Sequence, residues 1–242
     1  MMGSWANRSR AAAAAFAALT GSAQAQSVQP MRFDLRPAGA EAETTMKVEN
    51  NRTHPITIEI VAESITLDEA GREVLAPAED DFLLFPPQAI IEPGVTQSVR
   101  VRYIGAPNIE TSESYRVTVK QIPVDLSGEQ RSGVALAFNF ATLAGVIPVG
   151  AKPDVEVRAI ERGEDGRGVI VLANTGDAYA RAFGYDWTLR AGGAEHVLTS
   201  DDLTSMIDGV SGLIPPRGER RFTLALPDGF DPAATTLTLT PN

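Results

Sequence analysis

The chain has no cysteine, so no disulfide can staple it and no thiol can serve as nucleophile or metal ligand. Histidine is nearly as scarce: His54 sits in a turn between Thr53 and Pro55, and His196 lies in the other half of the chain. A catalytic triad or a metal cluster needs convergent partners that these two lack. Positive charge is in deficit, with 21 Lys+Arg against 31 Asp+Glu and a net charge of −10, which argues against nucleic acid or an anionic lipid surface as partner. No apolar run reaches the roughly 20 residues that cross a bilayer, which argues against membrane insertion. Helical periodicity is missing outside residues 11–18, and the acidic clusters at 80–81, 161–165 and 201–202 lack the ligand spacing of a calcium loop and read as solvated surface. Ser4, Ser132 and Ser211 stand in no nucleophile-elbow context. The expectation is a protein that is not an enzyme and uses no metal or organic cofactor.

What is present begins with Arg8 and Arg10 ahead of an Ala-rich run, followed by Ala23-Gln24-Ala25 in the small-x-small form of a secretory cleavage site. Residues 1–25 therefore read as a signal peptide. Its removal takes away two arginines and no acid, leaving 19 Lys+Arg against 31 Asp+Glu and a net charge of −12. The remaining stretch of about 215 residues suits one large or two ordinary domains.

Strand-like alternation then fills the chain. Val28, Met31, Phe33 and Leu35 open a first strand, which Pro30 and Pro37 place at a sheet edge or force to change course. Met46 and Val48 mark a second strand, and Ile56, Ile58 and Ile60 a third. Residues 67–81 are polar and acidic with a turn signal at Glu69-Ala70-Gly71, and read as a hairpin or loop. Short apolar segments at 82–85 and 90–91 follow. Val99, Val101 and Tyr103 then alternate with arginines, as do Tyr115, Val117 and Val119 with Arg116, Thr118 and Lys120. About seven strands at turn spacings near ten residues match the pattern of an immunoglobulin-like sandwich.

Residues 132–148, SGVALAFNFATLAGVIP, carry the sharpest pattern: Val134, Leu136, Phe138 and Phe140 alternate with Ala135, Ala137, Asn139 and Ala141. This is either one face of an ordinary sandwich core or a bulky row shaped to fill a long groove elsewhere. In the second case the small alanine side would pack on the strand's own domain.

Beyond Lys152-Pro153 the pattern restarts. Val48-Glu49-Asn50 before a turn resembles Leu172-Ala173-Asn174, and Ile91-Glu92-Pro93 resembles Ile214-Pro215-Pro216. Asn50 to Pro93 spans 43 residues, and Asn174 to Pro216 spans 42. The economical reading is an all-β chain of two immunoglobulin-like sandwiches in series, over residues 26–149 and 150–242, hinged at 150–153. Arg100 and Arg102 project from one face of one strand, and Arg116 and Lys120 from one face of another. They form either an ordinary polar outer face or a set able to bind a carboxylate.

Residues 82–94, FLLFPPQAIIEPG, continuing as VTQSVRV to Val101, then SESYR from Ser112 and Gln121-Ile122-Pro123, together resemble the PapD-like periplasmic chaperones of fimbrial assembly. The likeness is strong over about residues 28–148 and topological beyond 153. It implies that the strand of residues 134–140 is lent to a pilus subunit whose own sandwich lacks one, as in donor-strand complementation. Val134, Leu136, Phe138 and Phe140 would then fill the subunit's groove. It further implies periplasmic location and delivery of the subunit to an outer-membrane usher.

The family's better-known members bind the subunit's terminal carboxylate with a first-strand arginine and a lysine a few residues before the interdomain proline. Here Leu143 stands at the lysine position and Ile147 where a basic residue is usual, as expected of a divergent branch. Arg36 answers to the first-strand arginine, leaving Arg36, Arg100, Arg102, Arg116 and Lys120 as candidate anchors. Glu113 resembles the acidic residue of the family's interdomain ion network, without its arginine partner. The competing reading is a secreted two-sandwich adhesin or surface-binding module. An exposed apolar edge also invites capping by a second copy of the same chain.

Overall fold

The computed structural model describes residues 26–123, 137–207 and 211–242. The expected leader, Val134, Leu136 and the polar loop before them lie outside these residues.

The first sandwich contains β1 (Ser27–Gln29), β2 (Arg32–Leu35), β3 (Glu43–Glu49), β4 (Ile56–Leu67), β5 (Glu73–Pro77), β6 (Phe82–Phe85), β7 (Gln88–Ile91), β8 (Thr96–Tyr103), β9 (Glu113–Ile122) and β10 (Asn139–Val146). One sheet runs β1-β3-β8-β6, and the other runs β2-β10-β9-β4-β5 with β7 also on β4. Ten strands appear where the alternation suggested about seven: the stretch read as a hairpin or loop carries β5, and the first expected strand is divided at Pro30. That proline has no N–H to continue a ladder, and the chain passes there from β1, paired with β3, to β2, paired in parallel with β10. The alternating residues Met46, Ile58, Ile60, Val99, Val101 and Val117 meet in the core. Phe82, Tyr103 and Tyr115 close one end of it with edge-on ring contacts at 4.9 and 5.6 Å.

The second sandwich contains β11 (Val155–Arg162), β12 (Gly168–Asn174), β13 (Ala180–Arg181), β14 (Tyr185–Ala191), β15 (Ala194–Leu198), β16 (Leu213–Ile214), β17 (Gly218–Leu224) and β18 (Thr236–Pro241). These form the ladders β11-β12-β17, β13-β16 and β15-β14-β18. Trp187 packs edge-on to Phe222 at 5.8 Å and donates its indole N–H to the Ala182 carbonyl at 3.1 Å. A helix, α1 (Ser200–Met206), departs from the all-strand expectation. Thr199 and Asp202 form a reciprocal capping box at its start, and Leu203 buries its single apolar side. Asp202, read from sequence as solvated surface, is exposed and in addition caps the Thr199 N–H.

The internal repeat has a structural meaning. Asn50 and Asn174 are fully buried at matching strand ends. Asn50 Nδ2 donates to the carbonyls of His54 and Ile91 at 2.9 and 2.8 Å, while Oδ1 accepts from Arg52 N at 3.0 Å. Asn174 Nδ2 donates to Ala178 and Pro215 at 2.7 and 3.2 Å, and its Oδ1 accepts from Gly176 N at 3.1 Å. Each amide ties the turn after one strand to the approach of another.

Among the described residues, contacts at two margins join the sandwiches. At one margin Tyr179 donates its phenol to Asp34 at 2.6 Å and its N–H to Ser112 Oγ at 2.6 Å. Burial first, and then the bond to Asp34, push that phenol well above its ordinary pKa, so it stays a donor. Gly145 makes the approach feasible, since a Cβ there would meet the Tyr179 ring at 2.5 Å. At the other margin the β4–β5 hairpin, turned at Gly71 with φ 75°, reaches the second sandwich. Ser211 Oγ donates to Glu73 at 2.7 Å, and Arg220 Nη2 donates to the carbonyls of Gly71 and Ser211 at 3.1 and 2.7 Å. Glu73 in turn receives a two-pronged bond from Arg116 at 2.6 and 2.9 Å. Between the margins lies a groove of about 480 Å³ lined by Ile65, Leu67, Ser114, Leu213 and Pro215.

Two outcomes follow from these contacts. Replacing Asn50 or Asn174 with alanine leaves buried carbonyls unpaired and lowers stability by about 1–3 kcal/mol per unpaired group in urea denaturation. Burial alone would raise the Glu73 pKa, but hydrogen bonds from Arg116 and Ser211 and the charges of Arg116 and Arg220 outweigh it and hold the carboxyl below its ordinary 4.5. Its contribution is therefore complete above pH 4.5 and is lost as pH falls through the depressed folded-state value. Glu73→Gln flattens that acidic limb of the stability–pH curve, as measured by urea midpoints across the range.

Candidate functional site

The site is built around β10, whose two edges are treated differently. Along β9 it is paired from Asn139 to Val146. Along β2 it is paired only from Leu143 to Val146. Residues 139–142 therefore present an open edge among the described residues. The Leu143 N–H donates to Met31 O at 3.0 Å, and by the two-residue period of a strand the N–H groups of Asn139 and Ala141 point the same way, into the opening. Open strand edges of this kind are templates for another strand.

Side chains on this strand correct one expectation. Val146, Ala144 and Thr142 are buried in the core, and Phe140 is half-buried and packed against it. Phe138 continues the same row and is 44% exposed. Phe138 and Phe140 thus prolong the core face and do not lie opposite it. Ala137, expected with Ala135 to pack on the strand's own domain, is exposed, as are Asn139 and Ala141 on the same face, so among the described residues the small side does not anchor the strand; Ala135 lies outside them. At the exit of the strand, Phe138 N donates to Gln121 Oε1 at 3.4 Å, Gln121 N donates to Phe138 O at 3.1 Å, and the Arg52 guanidinium lies 5.0 Å from the Phe138 ring centroid.

The five cations do not form one cluster. Arg100 and Arg102 lie on β8, in the other sheet, and both face Glu43 at 3.0 and 3.9 Å. Arg36 follows β2 and spends its guanidinium on the Ile147 and Pro148 carbonyls at 3.2 and 3.1 Å and on Glu41 at 3.3 Å. Arg116 is committed to Glu73, and Lys120 lies 3.9 Å from Glu63. Alternation assigned these residues to faces, but it carries no information on which sheet a strand joins.

Arg32 escaped the sequence reading. It pairs in register with Leu143, whose other neighbour is Arg116. Arg32, Leu143 and Arg116 thus form one row across the outer face of the β2-β10-β9 sheet, spanning about 10 Å at ordinary strand spacing. Arg32 is exposed and has no ion pair among the described residues. Its charge reaches the Tyr179 phenol at the margin between sandwiches. The histidines stay apart: His54 is exposed in its turn, and His196 faces Phe230 at 6.2 Å.

Sequence comparison with curated proteins finds no match. The family model of the pili and flagellar-assembly chaperones, PapD N-terminal domain, matches residues 27–144. Among solved structures, the E. coli chaperone DraB superposes with a TM-score of 0.55 at 19% identity, covering 90% of this chain and 98% of that one. The CsuC–CsuE chaperone–tip adhesion subunit pre-assembly complex from archaic chaperone-usher Csu pili of Acinetobacter baumannii gives a TM-score of 0.57 at 14% identity, covering 89% and 97%. The Salmonella enterica SafA pilin–SafB chaperone complex gives 0.56 at 17% identity, covering 83% and 84%. Residues 27–144 therefore belong to the PapD N-terminal domain family of the pili and flagellar-assembly chaperones, and with a second sandwich in series the chain has the make-up of a divergent PapD-like chaperone.

Proposed function

We propose that this chain is a periplasmic chaperone, exported by a leader at residues 1–25, that binds pilus subunits by strand donation and passes them to an outer-membrane usher. Its working parts are a donor domain at 26–149 and a second sandwich at 150–242. The observation that carries the reading is the open edge of β10 at residues 139–142 beside the exposed Phe138.

A subunit that lacks a strand exposes an apolar trough and an unpaired edge, both aggregation hazards. The β10 backbone supplies the missing ladder, and Val134, Leu136 and Phe138 enter the trough. Phe140 marks the joint where the donor's own core ends and the shared one begins. Full burial of each such side chain is worth about 1.5–3 kcal/mol, set against the cost of association and ordering. Arg32 is the anchor for the subunit's terminal carboxylate, because it is the exposed, unspent cation in the row beside Leu143.

The donor test is the double variant Leu136→Glu with Phe138→Glu, assayed for keeping a groove-bearing pilus subunit soluble. The variant alone melts cooperatively near the wild-type temperature and no longer retains the subunit. If instead the variant unfolds by itself, the row is core and the adhesin reading gains. A separate variant, Arg32→Met, weakens subunit binding by about tenfold or more, since a hydrogen bond to a charged group is worth about 1.5–3 kcal/mol. Unchanged affinity in titration calorimetry would remove Arg32 from the site.

A further inference from the structure

The β4–β5 hairpin reaches the second sandwich through one connected set of polar groups. Glu73 stands at the centre. One side of its carboxylate takes both prongs of Arg116, at 2.6 and 2.9 Å, and Ser211 Oγ donates to it from the second sandwich at 2.7 Å. Arg220 is 5% exposed and stacks over Phe222 at 5.3 Å, with Nη2 bridging Gly71 O and Ser211 O and Nη1 buried without a partner. Ser211 N also donates to Gly71 O at 3.3 Å. A buried cation left with an unpaired donor is costly, so its retention here calls for a role other than core packing.

We propose that Glu73, Ser211 and Arg220 are positioning residues that form a clasp, fixing the second sandwich against the hairpin and so setting the angle of the face that carries Arg32, Leu143 and Arg116. The clasp belongs to the free chain and holds with or without a client. Arg116 links it to the sheet that bears the site, because its guanidinium sits in that row while its hydrogen bonds hold the carboxylate that Ser211 grips. The Tyr179–Asp34 contact at the opposite margin serves as the pivot. With the clasp open, the second sandwich swings about that margin while each sandwich keeps its own core.

Cysteine is absent from the chain, so a spin-label pair can be introduced cleanly at two exposed positions, Ser98→Cys in the first sandwich and Thr238→Cys in the second. Electron–electron double resonance on the full labelled chain gives one narrow distance distribution. Glu73→Gln and Ser211→Ala each lose that single narrow peak to a broad distribution, while Ser211→Thr, which restores the hydroxyl, keeps it. Should Glu73→Gln fail to fold, the Ser211 pair decides the matter. A distribution as narrow in Ser211→Ala as in the wild type would overturn the proposal, and so would equal broadening in Ser211→Thr.

Discussion

The structure turns on a mismatch of length along one strand. β10 is eight residues long and is matched in full by β9, but β2 matches only its last four. Backbone N–H and C=O groups left over on that side need water or another strand. The parallel β2 partner begins only after Pro30 has switched the chain from one sheet to the other, so the short match follows from where that proline sits. The open edge and the exposed Phe138 arise together because the strand outruns both its partner and its core.

The second sandwich packs against the opposite end of the same strand. Tyr179 bears down on Gly145 of β10 itself, and the hairpin beyond β4 grips from the other side. The sheet face carrying Arg32 and Leu143 is thereby framed by a second body, and under the proposed function Arg32 is the cation that a chain end laid along β10 would meet. Under the proposed function two kinds of recognition are then combined along adjoining strands: apolar side chains and backbone edge toward one end of β10, and the charge of Arg32 on β2 toward the other. Strand addition elsewhere divides affinity and specificity in a similar way.

Much of this was legible from residues alone. Alternation located the strands, and the matched Asn50 and Asn174 spacings exposed the repeat, because a buried amide that ties a turn to a distant strand requires the same offset in each copy. The helix at Ser200–Met206 was not visible, since two turns with one buried leucine cannot display a period. Arg32 was missed for a different reason: its importance lies in a parallel register with Leu143, set by which strands the fold brings together. The same limit grouped Arg100 and Arg102 with Arg116 and Lys120, although they belong to different sheets. It also hid the partnership of Glu73 with Ser211, because long-range hydrogen bonds leave no trace in local pattern.

The most direct test of the central claim reads the backbone of β10. Amide hydrogen exchange, followed residue by residue, should find Asn139 and Ala141 exchanging fast in the free chain while Phe140 and Thr142, which face β9, are protected. On addition of a pilus subunit with an open groove, Asn139 and Ala141 should become protected as well. If they are already slow in the free chain, or stay fast when the subunit is bound, the edge is not where a client strand joins, and the account fails.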